Sequence, residues 1–316
     1  MTDYAISTSQ LAKTYRGVRA VDGIDLRVPR GAVYGFLGRN GAGKTTTIRM
    51  LMGLAKPTRG TATVVGRHWP EDRLAILERV AYVGERKLLF ESMNGRDLIR
   101  FNRPFFPRWS DELADRYAKV LEIPMDRTFK KLSQGNRTKL CLLLALAQGA
   151  ELLVLDEPTS GLDPVVMDEL LRVLVEDYAG EGRTIFLSSH NLAEVEKVAD
   201  WVGIIHEGKL LLEAPLEEIR ADFRRVTASI QGASGQELPA ERSGQVVSVA
   251  ASGSVREYVV RNDAERFAAE LRSRGATILE VSPLNLEQIF LRLVKKEERC
   301  ISGNTGATHA VVSTSM

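Results

Sequence analysis

The run Gly38-Arg39-Asn40-Gly41-Ala42-Gly43-Lys44-Thr45 has the residue types and the spacing to hold phosphate. Its glycines let successive backbone N–H groups curl into a nest around anionic oxygens. Lys44 supplies a point charge for β- and γ-phosphates, and Thr45 offers a hydroxyl to a magnesium ion. The helical stretch that begins at Thr45 and Thr46 aims its positive end at the same anion. Further along, Leu152-Leu153-Val154-Leu155-Asp156-Glu157 reads as a buried strand ending in two acids. The first can hold the metal through water, and the second can polarise an attacking water. A strand-end acid by itself often does no more than cap a helix. The phosphate loop upstream is what gives this pair a chemical meaning.

The elements that must position these residues alternate along the first two-thirds of the chain. Val33–Leu37, Thr61–Val65, Val80–Val83, Leu152–Leu155, Thr184–Ser188 and Val202–Ile205 are strand-like runs separated by helical patterns. Continuous apolar runs such as Leu152–Leu155 suit parallel strands buried on both faces. Leu113, Tyr117, Val120 and Leu121 fall on one face of a helix. The alternation predicts an α/β domain over 1–215. Near Ala214 the character changes. Strands are expected at Val226–Ile230, Val246–Val249, Val255–Val260 and Thr277–Val281, with a loop over Gly232–Gly244. Two short helices follow, one presenting Phe267 and Leu271, the other Leu286, Ile289, Phe290 and Leu293. This predicts a small α+β domain over 222–296 and, from composition, a disordered tail over 297–316.

Composition narrows the function classes. The chain has 316 residues, 44% hydrophobic and 27% charged, which is globular rather than fibrous or wholly disordered. A net charge of +2 gives no electrostatic argument for a nucleic-acid partner. The longest apolar run, Leu140 to Ala147, falls far short of the ~18 residues of a spanning helix. Residues Met1 to Gln10 show no secretory pattern, and two cysteines, Cys141 and Cys300, make no disulfide framework. A reducing, cytoplasmic setting is expected.

Leu132-Ser133-Gln134-Gly135-Asn136, then Asp156-Glu157-Pro158-Thr159-Ser160-Gly161-Leu162-Asp163-Pro164, then His190, follow the phosphate loop in order. The series resembles the nucleotide-binding subunit of ATP-binding cassette (ABC) transporters over about residues 4–215. It is similar to bacterial exporters of drug or antibiotic type whose membrane half is a separate chain. The resemblance implies a P-loop NTPase (RecA-like) cassette with a helical subdomain over about 86–150, and a Mg²⁺-dependent ATPase at the cytoplasmic face of a membrane. It implies ATP on Gly38, Arg39, Asn40, Gly41, Ala42, Gly43, Lys44, Thr45 and Thr46, with Tyr15 stacked on adenine. Ser133, Gln134 and Gly135 would meet the ATP of a second cassette, a copy of this chain or another, paired head to tail. Glu157 would be the general base, Lys44 and His190 would act on the γ-phosphate, and Thr45, Asp156 and Glu85 would face Mg²⁺. Asp163 would communicate across the dimer, and a separate multi-span permease would select the cargo.

Three positions depart from the family pattern. Glu85 stands where a glutamine is usual, Gln134 where a glycine is common, and Asn136 where a glutamine usually ends the signature. A working site with altered coupling or rate is expected. The cluster Phe101, Phe105, Phe106 and Trp109 with Arg100, Arg103 and Arg108 has the composition of an interface, and is expected to border the permease's docking groove. Its alternative is the ordinary core of a helical subdomain. Cys141, among leucines, is expected to be inert core. The segment Pro283–Phe290 resembles an accessory domain of exporter cassettes, with dimer support as the plainest role. The rival function is a soluble ABC ATPase acting on ribosomes or DNA. A single cassette, and the lack of a long heptad pattern between Lys44 and Ser133, argue against it. A module that binds ATP without turnover is opposed by the retention of Lys44, Asp156, Glu157 and His190.

Overall fold

A computed structural model describes residues 3–180, 182–230 and 245–305. The chain divides into two compact units, Met1–Ala214 and Pro215–Met316. No helix among the described residues is long and apolar enough to cross a membrane.

The first unit opens with antiparallel strands β1 (Tyr4–Tyr15), β2 (Val18–Ile24) and β3 (Arg27–Pro29), followed by β4 (Val33–Leu37) and helix α1 (Lys44–Leu51). Strands β5 (Arg59–Val64) and β6 (Arg67–His68), helix α2 (Arg73–Leu77) and strand β7 (Val80–Val83) come next. Helices α3 (Gly95–Asn102), α4 (Asp111–Val120) and α5 (Gln134–Leu146) form the helical part. The chain then returns through β8 (Leu152–Asp156), α6 (Pro164–Arg172), β9 (Thr184–Ser189), α7 (Leu192–Val198), β10 (Trp201–His206) and β11 (Lys209–Pro215).

Every residue of β4, β8 and β9 is buried, as expected of strands covered on both faces. They lie in a six-stranded sheet of order β11-β10-β4-β9-β8-β7. The pairs β10–β4, β4–β9, β9–β8 and β8–β7 are all parallel. The carboxyl ends of β4, β9, β8 and β7 therefore stand side by side at one edge, where α/β sheets place their ligands. A second sheet, β2-β1-β5-β6 with β3 on β1, is wholly antiparallel. Most of it lies outside the strands expected from sequence. In β1, Gln10 adopts φ 48° and the register shifts on either side, so the period of two is broken mid-strand. In α4, Tyr117 and the following Leu121 are buried as expected, but Val120 is exposed, because Ala114 takes the inner face with Tyr117.

The amino ends of the sheet carry an ion-pair cluster. Glu151, just before β8, receives Arg79 Nε and Nη2 at 2.8 and 2.7 Å and Arg108 Nη1 at 2.7 Å, with Arg30 Nη1 at 3.6 Å. Arg108 comes from the helical part, so one carboxylate ties that part to the sheet. Arg79 first, and Arg108 with it, pull the Glu151 pKa from the ordinary 4.5 down to about 2.

In the second unit, α8 (Leu216–Asp222) leads into β12 (Phe223–Ser229), followed by β13 (Val246–Ser252), β14 (Val255–Arg261), α9 (Ala264–Ser273), β15 (Thr277–Pro283) and α10 (Leu286–Thr305). The sheet is antiparallel, in the order β13-β14-β12-β15. Val226, Ala228, Tyr258 and Val260 pack against Phe267, Ala268 and Leu271 of α9, with the Tyr258 and Phe267 rings 5.2 Å apart. Helix α10 buries Leu286, Ile289, Phe290 and Val294, and its Arg292 reaches Glu257 of β14 at 2.5 Å. This helix corrects two expectations. It is long rather than short, and it runs to Thr305 through residues assigned to a disordered tail. The Lys-, Glu- and Arg-rich stretch after Val294 consists of helix formers, and it extends the helix past the apolar face. The expected loop over Gly232–Gly244 and the tail beyond residue 305 lie outside the described residues.

Replacing Glu151 with Gln should lower the melting temperature of the first unit by about 2–4 °C at pH 7, since partly exposed pairs contribute about 1 kcal/mol. The folded-state pKa is depressed, so this stability is complete above about pH 4.5 and is lost as pH falls toward 2. Thermal melts of both proteins across that range should converge at the acid end.

Candidate functional site

The phosphate loop leaves β4 and closes on α1. At two of its glycines the backbone runs so close to its neighbours that a side chain is excluded. A Cβ on Gly38 would sit 2.5 Å from Ile205 O, and one on Gly43, at φ 113°, 2.6 Å from Ala20 O. Gly41, at φ 82°, faces open space. Lys44 is only 5% exposed. Its Nζ donates to Gly38 O at 2.6 Å and Arg39 O at 3.3 Å, and pairs with Glu157 Oε1 at 3.1 Å. A cavity of about 250 Å³ opens here, lined by Arg39, Asn40, Gly41, Gly43, Lys44, Thr45, Thr46, Glu85, Glu157 and Ala20. Gly38, Ala42 and Asp156 lie outside that lining.

The neighbouring strand ends supply the acids and the histidine. Parallel register sets Asp156 opposite Ser188, whose hydroxyl donates to Asp156 Oδ1 at 2.7 Å. Thr45 Oγ1 donates to the same oxygen at 3.3 Å. Asp156 Oδ2 is buried without a hydrogen-bond partner. Burial raises the Asp156 pKa, while its bonds to Ser188 and Thr45 oppose the rise. Glu157 turns into the left-handed region at φ 47°, a conformation that costs on the order of 1 kcal/mol for such a residue. Its N–H is held by Ser188 O and Ser188 Oγ, both at 3.2 Å. Its Oε2 lies 2.8 Å from His190 Nδ1. Lys44, Glu157 and His190 thus form one connected group. Ser188, a small hydroxyl in an apolar strand just before His190, is the supporting residue whose role sequence reading missed.

The donor set suits a hard cation. Thr45 Oγ1, the orphaned Asp156 Oδ2 and Glu85 are all oxygen donors on the phosphate loop's side of the site. No group of three or more His, Cys, Asp or Glu among the described residues is arranged to hold a metal unaided. A magnesium ion bound here would complete its shell with phosphate oxygens and water, since it takes few protein ligands.

Other expected residues lie apart. Tyr15 is 43% exposed at the end of β1, with the Lys13 ammonium 4.9 Å from its ring centre, and it does not line the cavity. Ser133 caps α5, accepting from Asn136 N at 3.3 Å. Ser133, Gln134, Gly135 and Asn136 line a different cavity with Gly161, Leu162 and Asp163. Asp163 caps α6, accepting from Val165 N and Val166 N at 3.1 Å. Cys141 is half-buried rather than fully enclosed, and burial pushes its thiol up to about 11, so it stays protonated and unreactive.

The sequence pattern described as ABC transporter matches residues 21–160. The bacitracin transport ATP-binding protein BcrA of Bacillus licheniformis is 38% identical over 222 residues, covering 70% of this chain and 72% of that protein. The chain belongs to the ABC transporter family. A second relative, the bacitracin transport ATP-binding protein BcrA of Enterococcus faecalis, is 30% identical over 298 residues, covering 92% of this chain and 97% of that protein. The likeness to this ABC protein therefore extends into the second unit. A solved structure described as the ATP binding subunit of an ABC transporter matches with a TM-score of 0.63 at 26% identity. That match covers 69% of this chain and 92% of the other.

The loop's close approaches give a graded prediction. Gly41→Ala should weaken nucleotide binding modestly, through backbone strain alone of about 1 kcal/mol, or several-fold. Gly43→Ala adds the collision with Ala20 O and should abolish detectable binding in a fluorescent-nucleotide titration.

Proposed function

We propose that this chain is the ATP-hydrolysing subunit of a bacterial exporter, working as a pair of cassettes beneath a separate membrane chain. One observation carries the pairing. The phosphate loop and the signature residues Ser133 and Gly135 line two separate cavities of one chain. A site that uses both sets must draw the second from another cassette. The N-terminus of α5, with the Ser133 hydroxyl, then faces the γ-phosphate from across the interface.

The chemistry follows from the contacts of Lys44. An incoming γ-phosphate competes with Gly38 O, Arg39 O and Glu157 for its ammonium. Once Lys44 turns to phosphate, Glu157 Oε1 is free to accept a proton from the attacking water. The water oxygen bonds to phosphorus, the bond to the β,γ-bridging oxygen breaks, and the electron pair leaves with ADP. His190, on Glu157 Oε2, holds the base while its exposed edge reaches the phosphate. Mg²⁺, held by Thr45, Asp156 and Glu85 with the nucleotide, would neutralise charge on the phosphate oxygens. Loss of the γ-phosphate removes what joined the two cassettes.

The membrane chain is proposed to dock on the helical part. Phe90 and Phe101 meet edge to face at 5.0 Å, and Phe101 and Phe105 lie 5.5 Å apart. Phe105 is 64% and nearby Leu88 81% exposed. The arginines of this segment are spent on ion pairs, Arg100 to Asp97, Arg103 to Asp111 and Arg108 to Glu151. A partner would therefore meet apolar rings set among paired, exposed charges. The relatives named for bacitracin transport support a role in export, and attachment to the membrane through this partner supports a peripheral location.

Purified protein should hydrolyse ATP only with Mg²⁺. Glu157→Gln should lower kcat by at least about 100-fold and should accumulate an ATP-bound dimer in size-exclusion chromatography. Wild-type turnover in that variant would remove Glu157 from its role. Phe101→Ser with Phe105→Ser should retain basal hydrolysis yet no longer co-purify with a multi-span protein from gently solubilised membranes.

A further inference from the structure

The signature turn and the loop after Glu157 touch through one side chain. Gln134 Nε2 donates to Ser160 O at 3.1 Å. The contact is close enough that a Cβ on Gly161 would lie 2.4 Å from that nitrogen. The same loop is fastened at its other side. Thr159 Oγ1 donates to Glu194 Oε2 at 2.6 Å, in a buried bond. Glu194 in turn accepts from the Asn191 side chain, next to His190. Ser160 N–H also returns to Glu157 O at 3.3 Å. The signature turn is thus joined by hydrogen bonds to the loop that carries the base.

We propose that Gln134 is a positioning residue, a clip through which the signature turn of one cassette moves the Glu157–Ser160 loop of the same cassette. The proposal rests on the paired-cassette reading above. Under that reading, the signature engages nucleotide held by the second chain. The clip then carries that engagement back to this chain's own base, so each site senses whether the other is filled. A glycine at position 134 has no atom with which to make the bond. The residue type is what creates the link.

The test is a variant series on the full chain. Gln134→Met keeps the length of the side chain and its neutrality but removes the donor, so it cannot bond Ser160 O. It should leave ADP affinity of the single cassette unchanged. It should lower kcat by about 3- to 10-fold, the worth of one partly exposed hydrogen bond. The Hill coefficient for ATP should fall toward one, with KM moved less than twofold. Gly161→Ala should cost more kcat in the wild type than in a Gln134→Gly background, where the added methyl meets no amide. The strain at φ 71° is common to both backgrounds and cancels in the comparison. Wild-type kcat and Hill coefficient in Gln134→Met, or equal Gly161→Ala costs in both backgrounds, would overturn the clip. A Glu157→Gln dimer that still forms with ATP in that case shows that only the clip has failed. No dimer at all overturns the pairing and the clip together.

Discussion

The fold depends on the burial of three adjacent parallel strands on both faces. Because β4, β9 and β8 are buried throughout, their side chains are close-packed on both faces and the three strands hold one register against each other. A slip of one residue would move Asp156 away from Ser188 and detach Glu157 from the oxygens that hold its strained backbone. The chemistry is therefore set by packing well behind the site. Three separate stretches of chain deliver a lysine, a carboxylate and an imidazole to one point because their strands cannot slide.

Within the site, electrostatics favour readiness over rest. The Lys44 ammonium is almost wholly buried, and its compensation is two loop carbonyls and one carboxylate. Glu85 adds a further carboxylate to a cavity that already holds Glu157, with Asp156 close behind it. So many acids favour a divalent cation and raise the cost of bringing in bare phosphate. Lys87 answers part of that charge. It is bonded to Gly84 O at 2.7 Å, and burial lowers its pKa while the carboxylates Asp156, Glu85 and Glu157 oppose the fall. Where the family usually has a neutral glutamine, this chain has an acid with a lysine two residues on.

Much of this was legible in the sequence, and the reason is physical. The strands β4, β7, β8 and β9 are continuous apolar runs with polar or glycine-rich ends, so their type and carboxyl termini can be read directly. The phosphate loop, the twin acids and His190 follow those termini. Strand β1 was not legible, because the Gln10 bulge hides its alternation. The reach of α10 was missed because serine, threonine and glycine near the end of the chain outweighed a charged run that favours helix. The part of Ser188 needs the pairing of β8 with β9, which composition does not contain. Gln134 was visible as a departure, but its bond to Ser160 depends on two loops, 26 residues apart in sequence, meeting in space.

The Glu151 cluster sits at the amino ends of the strands, at the opposite end of the sheet from the phosphate loop. Helix α5 has 13 residues and ends just before that cluster, with its signature turn at the far end, about 20 Å away. Held by Glu151 near one end, and near the other by Lys139 on Glu169 and by the exposed Gln134–Ser160 bond, the helical part can turn only by working against those two ties. A swing of 10° about Glu151 would carry Ser133 through an arc of about 3.5 Å, further than a hydrogen bond at that end could follow unbroken. A turn of the helical part would therefore be felt first at the bond between Gln134 and Ser160.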